Sequence, residues 1–340
     1  MNNRFARLLA AALFLTFSAP ALAATQLTGA GSTFVNPFFS KAFYVYGQQH
    51  DVAVNYQSIG SGGGIQQFTQ KTVDFGASDV PMNADELKRA GDDVVQIPVA
   101  LGGEAVVYNL PGIHKGLRLT RMLLADIFLG KVTSWNDSQI AKLNPGVKLP
   151  NMPIVVMHRS DGSGTTYIFT DFLSHISSEW KDKVGTGKSV QWPASSSVGG
   201  KGNEGVAGLV RQTTGAIGYV ELAYALENHM DSAAIQNAAG KWVNCSQETV
   251  RAAAATKPHV SASDFSIVDR TGARAYPIAG YTWVMVYRSM SDKDRARTLR
   301  DVLTYVVSDP AQRIAGTLGY VPLPDNVQRT AQHALAEMKV

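Results

Sequence analysis

Three short segments carry residue types that can hold an oxyanion. Gly29-Ala30-Gly31-Ser32-Thr33-Phe34 precedes a helical stretch that begins near Pro37. Gly60-Ser61-Gly62-Gly63-Gly64 follows one β-like run, and Arg159-Ser160-Asp161-Gly162-Ser163-Gly164-Thr165 joins another to a helical stretch. Each has the same order: strand, then small hydroxyl and glycine residues, then helix. The first turn of a helix leaves N–H groups unpaired and carries partial positive charge. Glycines admit an anion close to the backbone, and Ser or Thr hydroxyls add further donors. Any one such segment, taken alone, reads as an ordinary cap. Three of them, one with an arginine, point to a single tetrahedral anion.

Arg159 is the full positive charge among these segments, and a guanidinium can grip two anion oxygens at once. It can equally serve a surface ion pair, and its neighbour Asp161 is placed either to orient it or to pair with it. Asp79, in Asp74-Phe75-Gly76-Ala77-Ser78-Asp79, is the odd residue. It follows a buried-looking strand, where α/β sheets put ligand residues. A carboxylate beside an anion repels it unless the anion offers a proton. Phosphate carries an O–H at neutral pH and sulfate does not, so one acceptor among donors would admit the first and reject the second. Sites built around a ligand hydroxyl reject analogues lacking it by roughly 10⁴–10⁵-fold. The plain alternative for Asp79 is a turn or cap aspartate.

Other chemistries find less support. An exported phosphoester hydrolase using Ser163 or Ser61 as nucleophile needs a positioned base or a metal, and no His lies in the three segments. The seven histidines show no metal-ligand spacing, and no G-x-S-x-G elbow occurs. Gly200-Lys201-Gly202-Asn203-Glu204-Gly205 fits a dinucleotide fingerprint but lacks the preceding strand and the acidic residue of a βαβ unit. No cofactor and no metal are expected.

These segments need a scaffold that brings three helix starts together. Candidate strands are Val52–Ser58, Val73–Ala77, Val94–Ala100, Ala105–Asn109, Ile154–His158, Ala216–Val220 and Trp283–Tyr287. Helical periodicity appears at Val35/Phe38/Phe39/Ala42, Ile168/Phe172/Leu173/Ile176 and Leu299/Val302/Leu303/Val306. Alternating strands and helices predict an α/β fold with largely parallel sheets. The 340 residues are about twice a typical domain, which predicts two lobes. Leu101–Gly103 and Pro277–Gly280 are candidate crossings between them.

Residues 1–23 combine basic Arg4 and Arg7, an apolar run from Leu8 to Phe17, and Ala21-Leu22-Ala23. This predicts a secretory signal peptide cleaved before Ala24. The run is too short to span a bilayer, and the leader has no Cys for a lipid anchor. The single cysteine, Cys245, has no partner for an internal disulfide and is expected to be a partly buried bystander. The net charge of +4 falls once the leader is removed, and it leaves no nucleic-acid footprint.

The chain resembles the periplasmic phosphate-binding protein family of high-affinity phosphate ABC transporters, from about Leu27 to Pro324. The matching motifs are LTGAGSTF (27–34), YQSIGSGGG (56–64), TVDFGASD (72–79), DIFLGKVTSWND (126–137), AKLNPGVKLP (141–150), RSDGSGTTYIFT (159–170), VGTGKSVQWP (184–193), GGKGNEGVAG (199–208) and GAIGYVELAYA (215–225). The resemblance implies ligand roles for Thr33, Phe34, Ser61, Asp79, Arg159, Ser163, Gly164 and Thr165, with Asp161 as the carboxylate partner of Arg159. Gly62 stands where many members have a serine, and the stretch from Asp231 to Pro258 matches poorly. The implied fold is a two-lobed type II periplasmic binding protein. Each lobe has a central, mainly parallel sheet flanked by helices, and the ligand sits in the cleft. Lobe 1 is expected at 24–101 plus 281–340 and lobe 2 at 102–280. The resemblance also implies inorganic phosphate as ligand, membrane permease subunits as partners, a periplasmic location and a monomer.

Overall fold

Described in a computed structural model are residues 25–91, 93–114 and 116–340; the expected signal peptide lies outside these residues. The first part of the chain alternates strand and helix: β1 (Thr25–Gly31), α1 (Asn36–Gln49), β2 (Val52–Ser58), α2 (Ser61–Thr69), β3 (Phe75–Ser78) and α3 (Ala84–Ala90). A long strand β4 (Val94–Tyr108) leads into β5 (Arg118–Leu119), α4 (Arg121–Phe128), α5 (Ser138–Leu143), β6 (Val155–Arg159), α6 (Gly164–Ile176) and α7 (Ser178–Lys183). Then come β7 (Ser197–Gly200), α8 (Gly202–Gln212), β8 (Ala216–Glu221), α9 (Leu222–Glu227), β9 (Asp231–Ser232), β10 (Ala234–Gln236), β11 (Trp242–Val243) and α10 (Gln247–Ala255). The chain closes with β12 (Ala279–Tyr287), α11 (Lys293–Val306), α12 (Asp309–Thr317) and α13 (Asp325–Ala336).

The fold is the expected α/β type. Nine strands form one sheet in the order β2-β1-β3-β12-β4-β8-β6-β7, with β9 beside β4. Its flanks are parallel: β1 with β2 and β3, and β6 with β7 and β8. Its centre is antiparallel, because β12 opposes both β3 and β4 while β4 opposes β8. Strand β4 belongs to both halves. Val94–Gly103 pairs with β12, and Glu104–Tyr108 pairs with β8. The two sheet halves are thus joined through β4, with β12 returning beside it.

One expectation is corrected here. Val94–Ala100 and Ala105–Asn109, expected as two strands, form the single strand β4, which runs unbroken through Leu101–Gly103. Its glycines serve close packing rather than a turn. A Cβ on Gly102 would stand 2.7 Å from the Phe34 ring, and one on Gly103 would stand 2.5 Å from Val250. Pro98, which has no N–H for a ladder, is accommodated at a register shift opposite Thr282 and Trp283. The carbonyl of Val99 is taken up there by Gln312 Nε2 at 3.1 Å.

Apolar residues at helical spacing seat each flank. In the first half, Phe38, Phe39, Ala42 and Phe43 of α1 are buried, with Phe39 edge-on to Tyr56 at 5.1 Å. In the second half, Phe169 of α6 stacks on Tyr219 of β8 at 4.3 Å. Truncating either buried phenylalanine to alanine costs about 3–5 kcal/mol by lost transfer and cavity terms. Both helices are thereby fixed to the sheet, and their first turns are fixed with them. The poorly matching stretch after Asp231 contributes a small separate sheet, β11-β10-β5.

Candidate functional site

The three expected helix starts follow β1, β2 and β6 and meet where Asp79 follows β3. Gly31 ends β1 at φ +145°, where a Cβ would lie 2.0 Å from the carbonyl oxygen of Ala77. Only glycine passes there, and the chain then delivers Ser32, Thr33 and Phe34, all buried, into the cleft. Ser61 opens α2 and Asp79 follows β3. From the other half, Arg159 ends β6 and Ser163 caps α6, its Oγ accepting from the N–H of Thr166 at 3.0 Å.

The two halves touch directly. Gly62 N–H donates to the carbonyl of Gly162 at 2.8 Å. Gly164 N–H donates to Ser61 Oγ at 3.0 Å. A Cβ on Gly164 would stand 2.6 Å from both Asp79 Oδ2 and Ser61 Oγ, so any larger residue would force the halves apart. At the rim, Lys188 and Glu86 form an ion pair across the same boundary.

Arg159 is 4% exposed, so its charge must be met inside. Its Nε donates to Asp161 Oδ1 at 2.8 Å, its second nitrogen to Asp161 Oδ2, and Nη1 to Thr165 Oγ1 at 3.1 Å. Burial opposes the guanidinium charge, but Asp161 outweighs it and holds the arginine firmly protonated. Burial likewise opposes charge on Asp161, and the hydrogen bonds and charge of Arg159 pull its pKa below the usual carboxylate value. Asp161 Oδ1 also accepts from Gly202 N–H at 3.0 Å. The carboxylate is therefore spent on orienting the arginine.

Asp79 is built differently. Oδ1 accepts from Ser32 Oγ and from Thr282 Oγ1, the latter at 2.7 Å. Oδ2 is buried and has no partner among the described residues. Burial raises the carboxyl pKa to about 6, against the hydrogen bonds of Ser32 and Thr282 and the nearby charge of Arg159. Near neutral pH it is an anionic acceptor with one oxygen held and one free. An unpaired buried acceptor costs about 1–3 kcal/mol, a cost that a ligand bringing its own O–H removes.

Residues 18–310 match the PBP superfamily domain. A phosphate-binding protein PstS of Xylella fastidiosa is 47% identical over 313 residues, covering 91% of this chain and 85% of that protein. The phosphate-binding protein PstS of Pasteurella multocida is 44% identical over 329 residues, covering 96% and 94%. The chain belongs to the PstS family of phosphate-binding proteins. Its two-lobed fold recurs in the solved structure of the phosphate-bound periplasmic protein PfluDING, with a TM-score of 0.74 at 21% identity over 91% of this chain and 93% of that one. A phosphate ABC transporter substrate-binding protein from Clostridium perfringens gives 0.65 at 19% identity, covering 88% and 100%.

All nine site residues named from the PstS resemblance lie in this one cleft. Phe34 N–H is turned to Ser32 Oγ at 3.0 Å, while Thr33, Ser61 and Thr165 present hydroxyls. Sequence reasoning missed several residues around them. Ser32 lay inside a motif already singled out. Thr282 reaches Asp79 from a strand 203 positions away, and nothing local marks it. Asn203 stands in the 199–208 motif without being singled out. Glu104 and Glu221, opposite each other on β4 and β8, each stand one residue outside the strands expected at 105–109 and 216–220. Cys245 is buried in apolar surroundings that push its thiol pKa up, with Glu221 adding to the effect, as suits the expected bystander.

Proposed function

We propose that this protein captures inorganic phosphate, as HPO₄²⁻ or H₂PO₄⁻, between its two lobes and delivers it to the permease of an ABC transporter in the inner membrane. Lobe 1 is taken as 24–101 plus 281–340 and lobe 2 as 102–280. The observation that carries the reading is Asp79 Oδ2, a buried acceptor without a partner in a cleft otherwise lined by donors. Arg159 supplies charge, and the helix starts at Ser61 and Gly164 supply N–H groups and partial positive potential. Thr33, Ser163 and Thr165 bring hydroxyls from both sides, and the N–H of Phe34, which rests on Ser32 Oγ, is the backbone donor beside them. Closure follows from geometry, because only juxtaposed lobes give one anion both sets of donors.

The protein acts as a carrier rather than an enzyme. Ser61 Oγ already accepts from the N–H groups of Gly164 and Asp79, at 3.0 and 3.3 Å, so its remaining capacity is to donate. Ser163 Oγ is engaged as a helix cap. His158, the histidine nearest in sequence, bonds the Arg159 carbonyl and stacks on Trp192. A signal peptide at 1–23 without a lipid anchor, a periplasmic location and a monomeric state belong to the same reading. Titration calorimetry tests it. Phosphate is expected to bind with one site per chain, sulfate to bind at least about 10⁴-fold more weakly, and p-nitrophenyl phosphate to show no turnover. Equal binding of both anions would overturn the reading.

A further inference from the structure

Asn203 lies in the first turn of α8, fully buried, and touches both halves of the cleft. Its amide orientation is set by Oδ1, which accepts from Glu221 N–H at 2.9 Å. Nδ2 must therefore face the other way. It donates to Thr33 Oγ1 at 2.8 Å and to Thr165 Oγ1 at 3.1 Å. The backbone N–H of Asn203 donates to Thr33 Oγ1 as well, at 3.1 Å, and Arg159 Nη1 donates to Thr165 Oγ1.

A hydroxyl oxygen has two acceptor lone pairs and one hydrogen to give. On both threonines the two lone pairs are filled, by Asn203 twice on Thr33 and by Asn203 with Arg159 on Thr165. Each hydroxyl is then left with only its hydrogen. A free threonine hydroxyl turns to donate or accept as its neighbour requires; these two can only donate. We infer that Asn203 is a positioning residue that makes Thr33 and Thr165 obligate donors and ties them together across the cleft. This rests on the phosphate reading of the site. It also gives Asp79 its discriminating role: with the hydroxyls unable to accept, the proton of the ligand has Asp79 Oδ2 as its acceptor.

Substitution of Asn203 tests this. Asn203→Ala frees a lone pair on each threonine and is expected to weaken phosphate binding by about 10- to 100-fold, the scale of hydrogen bonds to a charged group. Asn203→Asp keeps the shape, reverses the role of Nδ2, and is expected to cost more than about 100-fold, because its carboxylate draws both hydroxyl hydrogens to itself. A merely structural role is separated by repeating Asn203→Ala in a Thr33→Val, Thr165→Val background. There the added loss is expected to shrink to less than about threefold, since no hydroxyl remains to be turned. An equal loss in both backgrounds, or unchanged affinity in Asn203→Ala and Asn203→Asp, overturns the inference while leaving the phosphate reading intact. If Asn203→Ala fails to fold, the uncharged and nearly isosteric Asn203→Leu in the two backgrounds carries the same comparison. A wild type that gives no phosphate isotherm overturns the phosphate reading, and this inference falls with it.

Discussion

Glu104→Gln is expected to make the protein more stable at alkaline pH and to leave it unchanged in acid. Glu104 and Glu221 are fully buried and face each other across β4 and β8. Both oxygens of Glu104, and Oε1 of Glu221, have no partner among the described residues; the other oxygen of Glu221 accepts from Ala223 N–H. Burial drives both pKa values well up, with Asp79 adding to the effect on each. A carboxyl whose folded pKa lies above its unfolded value near 4.3 holds its proton in the native state and loses it in the unfolded one. Its stabilising share is complete below the unfolded value and is lost as pH rises through the folded one. The loss runs at about 1.4 kcal/mol per pH unit for each carboxyl that stays protonated. The decline begins as pH passes the unfolded value and continues until the folded value is reached. Glutamine has the shape of the protonated acid and no such dependence. Phosphate-free thermal or urea unfolding at several pH values reads the effect directly, with the advantage of the variant over wild type growing as pH rises above the unfolded carboxyl value. Parallel pH profiles for the two proteins would refute the claim that this strand junction holds a protonated acid.

Two further outcomes follow from the cleft. Arg159→Ala is expected to weaken every tetrahedral anion together, by about 10²-fold or more. It removes a buried charge and leaves Asp161, deprived of its main partner, facing the site; calorimetry with phosphate and arsenate checks it, and loss of only one anion contradicts it. Acidification is expected to erode selectivity. Below about pH 6 Asp79 takes up a proton and can donate to an anion that has none, so the phosphate-to-sulfate affinity ratio should fall between pH 7.5 and 5. A ratio constant over that range contradicts the assignment of Asp79.

Much of this was legible in the sequence because it is local. The strand-to-helix turns at Gly29–Phe34, Gly60–Gly64 and Arg159–Thr165 bear their own small residues, and β2 falls where its alternation puts it. Asp79 and Arg159 also stood out locally, one as the odd acceptor and the other as the odd charge. What escaped depends on register. Thr282 reaches Asp79 only because β12 pairs with both β3 and β4, and Glu104 faces Glu221 only through the β4–β8 ladder. Neither follows from any window of sequence. The glycines at 102 and 103 divide the two strands expected at 94–100 and 105–109, since a glycine required for close approach and a glycine that ends a strand are the same letter. Asn203 was hidden because its role lies in contacts to Thr33 and Thr165, far away in the chain.

The central claim is that Asp79 selects the ligand by accepting its hydrogen. The direct measurement is the affinity of Asp79→Asn for phosphate and sulfate, side by side with wild type near pH 8. Asparagine can present an N–H where the free carboxylate oxygen was, so sulfate should gain strongly while phosphate changes less, and the ratio should fall by at least about 10²-fold. A ratio that stays at the wild-type value would contradict the account.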